Sequence, residues 1–325
     1  MKFPESFYAG GFFVAAVLTA LLTPWCIRLS RKLGLVDEPG DRKIHGQAVS
    51  LAGGIAVFCG AFFAIALGGF LLSTNFLDGS THDRLQYGLA HRAGRLAVIC
   101  SGGLAMLCLG LLDDRYELSP GIKFFGQLVV AFLVAASGIR ITLFVPSIVF
   151  SYAATVLWIL ILVNAFNFMD NMNGLCAGVT AIAALFFGIA AAIRGDYLVA
   201  GLAFVFAGAF CGFLPFNFPE AKAFLGDSGS HLAGFVVAVL GILPHYYSSK
   251  HPHAVAVFVP LLILAVPLYD MISVVMIRMR SGEPVYVGDN NHLSHRLLRR
   301  GYSRRTAVSL IWLATAVAGG FSLLL

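Results

Sequence analysis

The sequence predicts an all-α integral membrane protein, a polytopic transmembrane bundle of about ten spans in a single domain over residues 1–325. Three observations predict it. Hydrophobic residues make up 59% of the chain and charged residues only 12%, against about a quarter charged in a soluble domain. Mean hydropathy is +0.86, so the charges are too few to cover a water-facing surface. Apolar runs long enough to cross a bilayer, which takes about 20 residues, recur along the whole chain.

In order, these runs fall near residues 7–27, 50–73, 95–112, 123–138, 147–167, 174–193, 196–216, 230–246, 253–277 and 305–325; the fourth and eighth are short. The first is followed by Arg28, Arg31 and Lys32 and by no small-residue cleavage site, so it reads as a span and not as a signal peptide. Glycine, with 35 residues, often sits inside the runs, where it permits close helix packing. The six cysteines lie in apolar stretches without CxxC spacing and read as small hydrophobes. Alternating the loops across the bilayer puts 15 of the 22 Lys and Arg residues on one side. The positive-inside rule makes that side cytoplasmic and both termini external. Most carboxylates follow, and Asp270 sits one to two turns from the cytoplasmic end of the ninth run. Topology and anionic headgroups account for the formal charge of +6, so no nucleic-acid partner is predicted.

Five polar stretches interrupt this pattern. Asp113 and Asp114 end the third run, and Lys123 opens the fourth. Adjacent carboxylates at a membrane boundary bind Mg²⁺, act as a base or orient a lysine, unless they simply solvate a span end. In Asn164–Gly174, Asn164, Asn167 and Asp170 or Asn171 share a helical face if the fifth span extends that far. Such polarity is costly in lipid, though interhelical hydrogen bonding alone would explain it. Asn173-Gly174 then supplies a turn. Between Asn217 and Ser230, Gly226, Gly229 and two serines suit close approach of a phosphate, and Asp227 is an oxygen ligand in a flexible segment; an ordinary turn is the plainer reading. The stretch Asp289–Arg296 offers His292 and His295 at i, i+3, a zinc-like spacing that nothing completes. It therefore reads as an anion site or a basic loop against headgroups. Finally, Asp37–His45 precedes Gly53-Gly54, and Lys43 and His45 either neutralise phosphate or only orient the first span.

Together and in this order, the five stretches resemble the polyprenyl-phosphate N-acetylhexosamine-1-phosphate transferases, from about Gly34 to Gly301. The resemblance implies a bacterial inner-membrane enzyme with its catalytic cleft at the cytoplasmic face. There a polyprenyl phosphate attacks the sugar-linked phosphate of a UDP-N-acetylhexosamine and UMP leaves, starting a lipid-linked envelope glycan. By motif match, Asp113, Asp114, Lys123, Asp170, His292 and His295 take catalytic positions. Lys43, His45, Asn167, Asn217 and Arg296 contact substrate. Asp227, with Asn173, holds Mg²⁺, with Mn²⁺ as an alternative ion. For Asp113 the expected part is positioning and not deprotonation, because a phosphate monoester with a second pKa of about 6 is mostly dianionic at pH 7.

The chain departs from the bacterial pattern in places. Asp170-Asn171-Met172-Asn173-Gly174 stands for Asp-Gly-x-Asp-Gly, so Asn173 replaces a carboxylate, as it does in the eukaryotic dolichyl-phosphate branch. Ala48 and Ser50 replace prolines, and Ser294 interrupts His-x-His-His. The histidine pattern is more similar to the GlcNAc-1-phosphate branch than to the phospho-N-acetylmuramoyl-pentapeptide branch, which remains the alternative. A transporter and a catalytically inactive relative are the rivals from other classes. The sequence leaves donor sugar and oligomeric state open; members of the family often dimerise, so a homodimer is one arrangement it allows.

Overall fold

The computed structural model describes residues 5–38, 48–74, 79–143, 145–244, 246, 254–284 and 291–325, with the side chains of 73, 79–91 and 254 left aside. Lys43, His45 and Asp289 lie outside the described residues. Among the described residues, each of the ten apolar runs contains a helix. They form α1 (Glu5–Lys32), α2 (Gly53–Ser73), α3 (Gly79–Tyr116), α4 (Pro120–Ala136), α5 (Ile148–Met169), α6 (Leu175–Ile193), α7 (Tyr197–Asn217), α8 (Gly226–Ile242), the pair α9 (Val259–Ile263) and α10 (Ala265–Ser281), and, after the short α11 (Leu293–Arg299), α12 (Arg304–Ser322). A two-residue antiparallel pair, β1 (Val36–Asp37) with β2 (Val49–Ser50), closes the first loop.

The protein is thus an all-α membrane bundle. Among the described residues, six helices are long and apolar enough to cross a membrane, or seven if α9 and α10 form one broken span. That is fewer than the ten runs, because α4 and α8 have only 17 residues each and α12 opens on Arg304 and Arg305. The ninth run is bent by 71° between α9 and α10. Pro267 explains the break: in a continuous helix its ring would clash with the carbonyl of Ile263, and it has no N–H to donate.

Why α8 is short follows from where it sits. Every residue from Ser228 to Gly241 is buried, and α2, α3, α5 and α6 pack around it. A helix apolar on all sides belongs in a core, and this one meets protein where the outer helices meet lipid. Those outer helices leave Phe13, Trp25, Phe70 and Phe125 exposed, as lipid-facing residues are. Between α1 and α7 the approach is close enough that a Cβ at Gly208 would lie 2.1 Å from the Phe12 carbonyl, and one at Gly212 2.2 Å from that of Ala16. This is the small-xxx-small contact by which membrane helices gain dispersion energy.

Candidate active site

The bundle gathers its charges where α3 ends and α8 begins. Asp113 and Asp114 are neighbours in sequence but serve different partners. Asp114 accepts the Asp227 N–H on Oδ1 at 2.8 Å and the Ser228 N–H on Oδ2 at 3.1 Å. The first N–H groups of a helix lack intrahelical partners and form the positive end of its dipole. A carboxylate from α3 therefore caps α8 from outside. With that cap, α8 starts at Gly226 and not near residue 230, and Asp227 stands in its first turn where the sequence suggested a flexible segment. The contact needs Gly110, where a Cβ would lie 2.4 Å from both the Asp227 carbonyl oxygen and Ser228 Cα. Gly110→Ala is expected to push the start of α8 away, destabilising the protein by about 1–3 kcal/mol and lowering turnover. A melting curve and a rate both equal to wild type would contradict this.

Asp113 is the buried member of an ion pair. Its side chain is 1% exposed and its Oδ2 lies 2.5 Å from Lys123 Nζ, while Oδ1 accepts the Leu118 N–H at 2.9 Å. The same ammonium is 3.9 Å from Oδ2 of Asp227, whose side chain is 36% exposed. Asn167, on the last turn of α5, donates its amide to Asp227 Oδ1 at 2.6 Å and to Ser230 Oγ at 3.0 Å. Asn164 instead donates to Gln127 Oε1 on α4 at 2.7 Å. The shared face proposed for the amides thus extends only through Asn167, because α5 ends at Met169 and Asp170 is its C-cap.

Asp170 adds a further carboxylate. Burial pushes its pKa well above the usual carboxylate range, the Asp227 and Asp114 carboxylates push the same way, and a Gly226 N–H opposes them. A raised folded-state pKa stabilises the fold while the group is protonated, and that contribution is lost as pH rises through the raised value. The metal-free protein is therefore expected to melt at lower temperature as pH rises above the ordinary carboxylate range, with a flatter slope for Asp170→Asn. Equal slopes would remove Asp170 from this account.

Aspartates thus outnumber the one lysine here, and oxygen is the donor atom throughout, which suits a hard divalent cation. Among the described residues, no three His, Cys, Asp or Glu side chains are arranged to hold a metal by themselves.

The loops around this centre are tied by side chains of the motifs. Asn217, 3% exposed, accepts the Gly174 N–H at 2.7 Å and donates to the Ala223 carbonyl at 2.9 Å. Both ends of its amide are therefore used by backbone, which makes it a positioning residue and leaves little for substrate. Asn173 donates to the Pro219 carbonyl at 3.3 Å; among the described residues no hydrogen bond joins it to Asp227. Gly174, at φ 76°, opens α6, and its carbonyl accepts the Trp312 Nε1–H at 3.2 Å.

The histidine stretch docks beside this turn. His292 Nδ1 meets Asp270 Oδ2 at 2.8 Å, and Ser294 donates to Asn171 Oδ1 at 2.7 Å. Arg296 donates to Ser273 Oγ at 2.8 Å and lies over the Tyr269 ring, so α10 engages it. Burial first, then His292, Arg299 and Arg304, hold the His295 imidazole below its usual pKa, with Asp270 opposing. Near neutral pH it is an uncharged hydrogen-bonding group. Sequence reasoning named Asp113, Asp114, Lys123, Asn167, Asp170, Asp227 and the histidines, which the fold brings to one end of the bundle. It missed Ser230, Gln127 and Asp270 as partners; the cost of a carboxylate inside a span was the available signal for Asp270.

The bundle collects aspartates, one lysine, amides and imidazoles at a common end, a polar cluster suited to binding charged groups at a membrane boundary; the class follows from comparison with known proteins. The pattern of glycosyl transferase family 4 matches residues 96–245. The chain is 32% identical to a probable undecaprenyl-phosphate N-acetylglucosaminyl 1-phosphate transferase of Bacillus subtilis, over 93% of this chain and 80% of that one. It is 34% identical to a decaprenyl-phosphate N-acetylglucosaminephosphotransferase of Mycolicibacterium smegmatis, over 92% and 77%. With an undecaprenyl-phosphate alpha-N-acetylglucosaminyl 1-phosphate transferase of Escherichia coli K12 the identity is 28%, over 95% and 81%. The chain belongs to glycosyl transferase family 4.

Proposed function

We propose that this protein transfers N-acetylglucosamine 1-phosphate from UDP-N-acetylglucosamine to undecaprenyl phosphate and releases UMP, beginning a lipid-linked envelope glycan. The observation that carries the reading is the run Asp113–Lys123–Asp227–Asn167, which joins α3, α4, α8 and α5 within hydrogen-bonding and ion-pair distances. The names of the relatives support the sugar and the lipid. We place the site at the cytoplasmic face of the bacterial inner membrane, a reading supported by the concentration of Lys and Arg in alternate loops between the ten apolar runs. That boundary is where a cytosolic nucleotide sugar meets a lipid phosphate whose tail stays in the bilayer.

A lipid phosphate oxygen attacks the β-phosphorus of the donor. The bond from that phosphorus to the bridging oxygen breaks, and UMP leaves with the bridging oxygen. Two anions must approach, so neutralising and positioning charge dominates. Lys123 supplies the positive charge between Asp113 and Asp227. Asn167 fixes the Asp227 carboxylate. Asp113, with both oxygens engaged, positions Lys123 and is not free to act as a base. Lys43, His45, His292, His295 and Arg296 contact the phosphates. Asp227, joined by the Asn173 carbonyl oxygen and substrate, would hold Mg²⁺, which when bound neutralises the diphosphate and the departing UMP.

The test is purified protein with undecaprenyl phosphate, Mg²⁺ and a panel of UDP-sugars. UMP is expected with UDP-N-acetylglucosamine, lost on chelation and restored by Mg²⁺. No UMP with any donor overturns the reading, and labelled-solute uptake into vesicles without UMP replaces it with a transporter.

A further inference from the structure

Asp270 has no part in the chemistry above, yet it is a carboxylate inside a broken membrane helix, 4% exposed, beside an imidazole that is also 4% exposed. Burying a carboxylate there is costly, and such residues are retained where they have partners and a task. Both of its oxygens are in use: Oδ2 lies 2.8 Å from His292 Nδ1, and Oδ1 accepts the Leu293 N–H at 2.5 Å. With Oδ1 accepting the Leu293 N–H, a hydrogen on Nδ1 would give the contact between Oδ2 and the ring its donor.

We propose that Asp270 is a positioning residue for the transfer, holding His292 with a hydrogen on Nδ1 and its Nε2 turned toward the substrate phosphates. Three contacts fix the ring in that attitude. Asp270 holds it from α10. Phe168, on the last turn of α5, lies against it at a centroid separation of 6.1 Å. Ser294, two residues along, is anchored to Asn171 in the turn that follows Asp170. Nε2 lies across the ring from Nδ1 and enters no hydrogen bond among the described residues. The same division of labour is seen where a carboxylate orients a histidine that acts on a metal or a nucleophile: removing the orienting partner costs about 10–100-fold in function. The idea rests on the proposed reaction for the target of Nε2, whereas the Asp270–His292 contact stands apart from it.

The experiment separates the two. Protein labelled with ¹⁵N-histidine is studied by NMR, with His292 assigned from the signals that vanish in His292→Gln. Wild type is expected to show a hydrogen on Nδ1. In Asp270→Asn the amide keeps one oxygen for Leu293 and presents an N–H to the ring, so the hydrogen is expected to move to Nε2. Turnover with UDP-N-acetylglucosamine should then fall about 10–100-fold with KM changed much less. Asp270→Glu should keep the Nδ1 hydrogen and restore part of the rate. A hydrogen on Nε2 alone in wild type, or an Asp270→Asn protein that loses activity with the Nδ1 hydrogen in place, overturns the proposal. Should Asp270→Asn fail to fold, the wild-type spectrum and Asp270→Glu decide it. Absence of UMP release from wild type would count against the reaction and leave the NMR result to judge the pair.

Discussion

Asp227→Asn is expected to lower UMP release by about 10²–10³-fold, the loss seen when one preorganised electrostatic contact to a transferring group is removed. The reasoning is local. The Asp227 side chain is 36% exposed where that of Asp113 is 1% exposed, and its Oδ1 already accepts from Asn167. The substituted amide can orient its oxygen toward Asn167 and keep that bond. The backbone N–H of residue 227 still donates to Asp114, so the start of α8 is preserved. What disappears is the negative charge, and with it the proposed hold on the divalent ion. The melting temperature should stay near wild type while the rate collapses, and the Mg²⁺ concentration giving half-maximal rate should rise. Activity within a few-fold of wild type, at unchanged Mg²⁺ dependence, would show that the ion sits elsewhere.

Lys123→Met has the second largest expected effect, and it falls on stability as well as rate. Asp113 is 1% exposed and Lys123 is its counter-charge at 2.5 Å. Removing one partner of a buried pair leaves the other unpaired, which costs about 3–5 kcal/mol; the lower end applies here because Lys123 itself is 27% exposed. Asp113→Asn combined with Lys123→Met should recover much of that stability, since the stranded charge is gone, and should recover no activity. A double substitution no more stable than Lys123→Met would mean that the pair contributes little. Denaturation of the purified variants in one detergent, beside UMP release, separates the two effects.

Much of this architecture was legible in the sequence because membrane spans obey a simple rule of length and apolarity. Each of the ten runs contains a helix among the described residues. The carboxylates and amides of the site could be found because they are costly at span ends. What could not be read were features set by contacts between distant segments. The start of α8 depends on Asp114, which reaches it from α3, and no local pattern around Gly226 announces a cap supplied from elsewhere. Asn164 and Asn167 look equivalent on a helical wheel, but α4 and α8 lie on different sides of α5 and claim one each. Asn217 carries a motif match, and the fold gives both ends of its amide to backbone. Asn171 and Ser294 depart separately from the family pattern, and in the structure they meet in one hydrogen bond that holds α11 to the turn after α5. Substituting either alone would break a contact that the other was placed to make.

The central claim is that these helix ends move a sugar together with its phosphate. UDP-N-acetylglucosamine carrying ³²P in its β-phosphate, given to the purified protein with undecaprenyl phosphate and Mg²⁺, tests it most directly. The account predicts that the label passes into the lipid phase in equal amount to the UMP formed. Label left in the aqueous phase as UDP, with unphosphorylated sugar reaching the lipid, would contradict it.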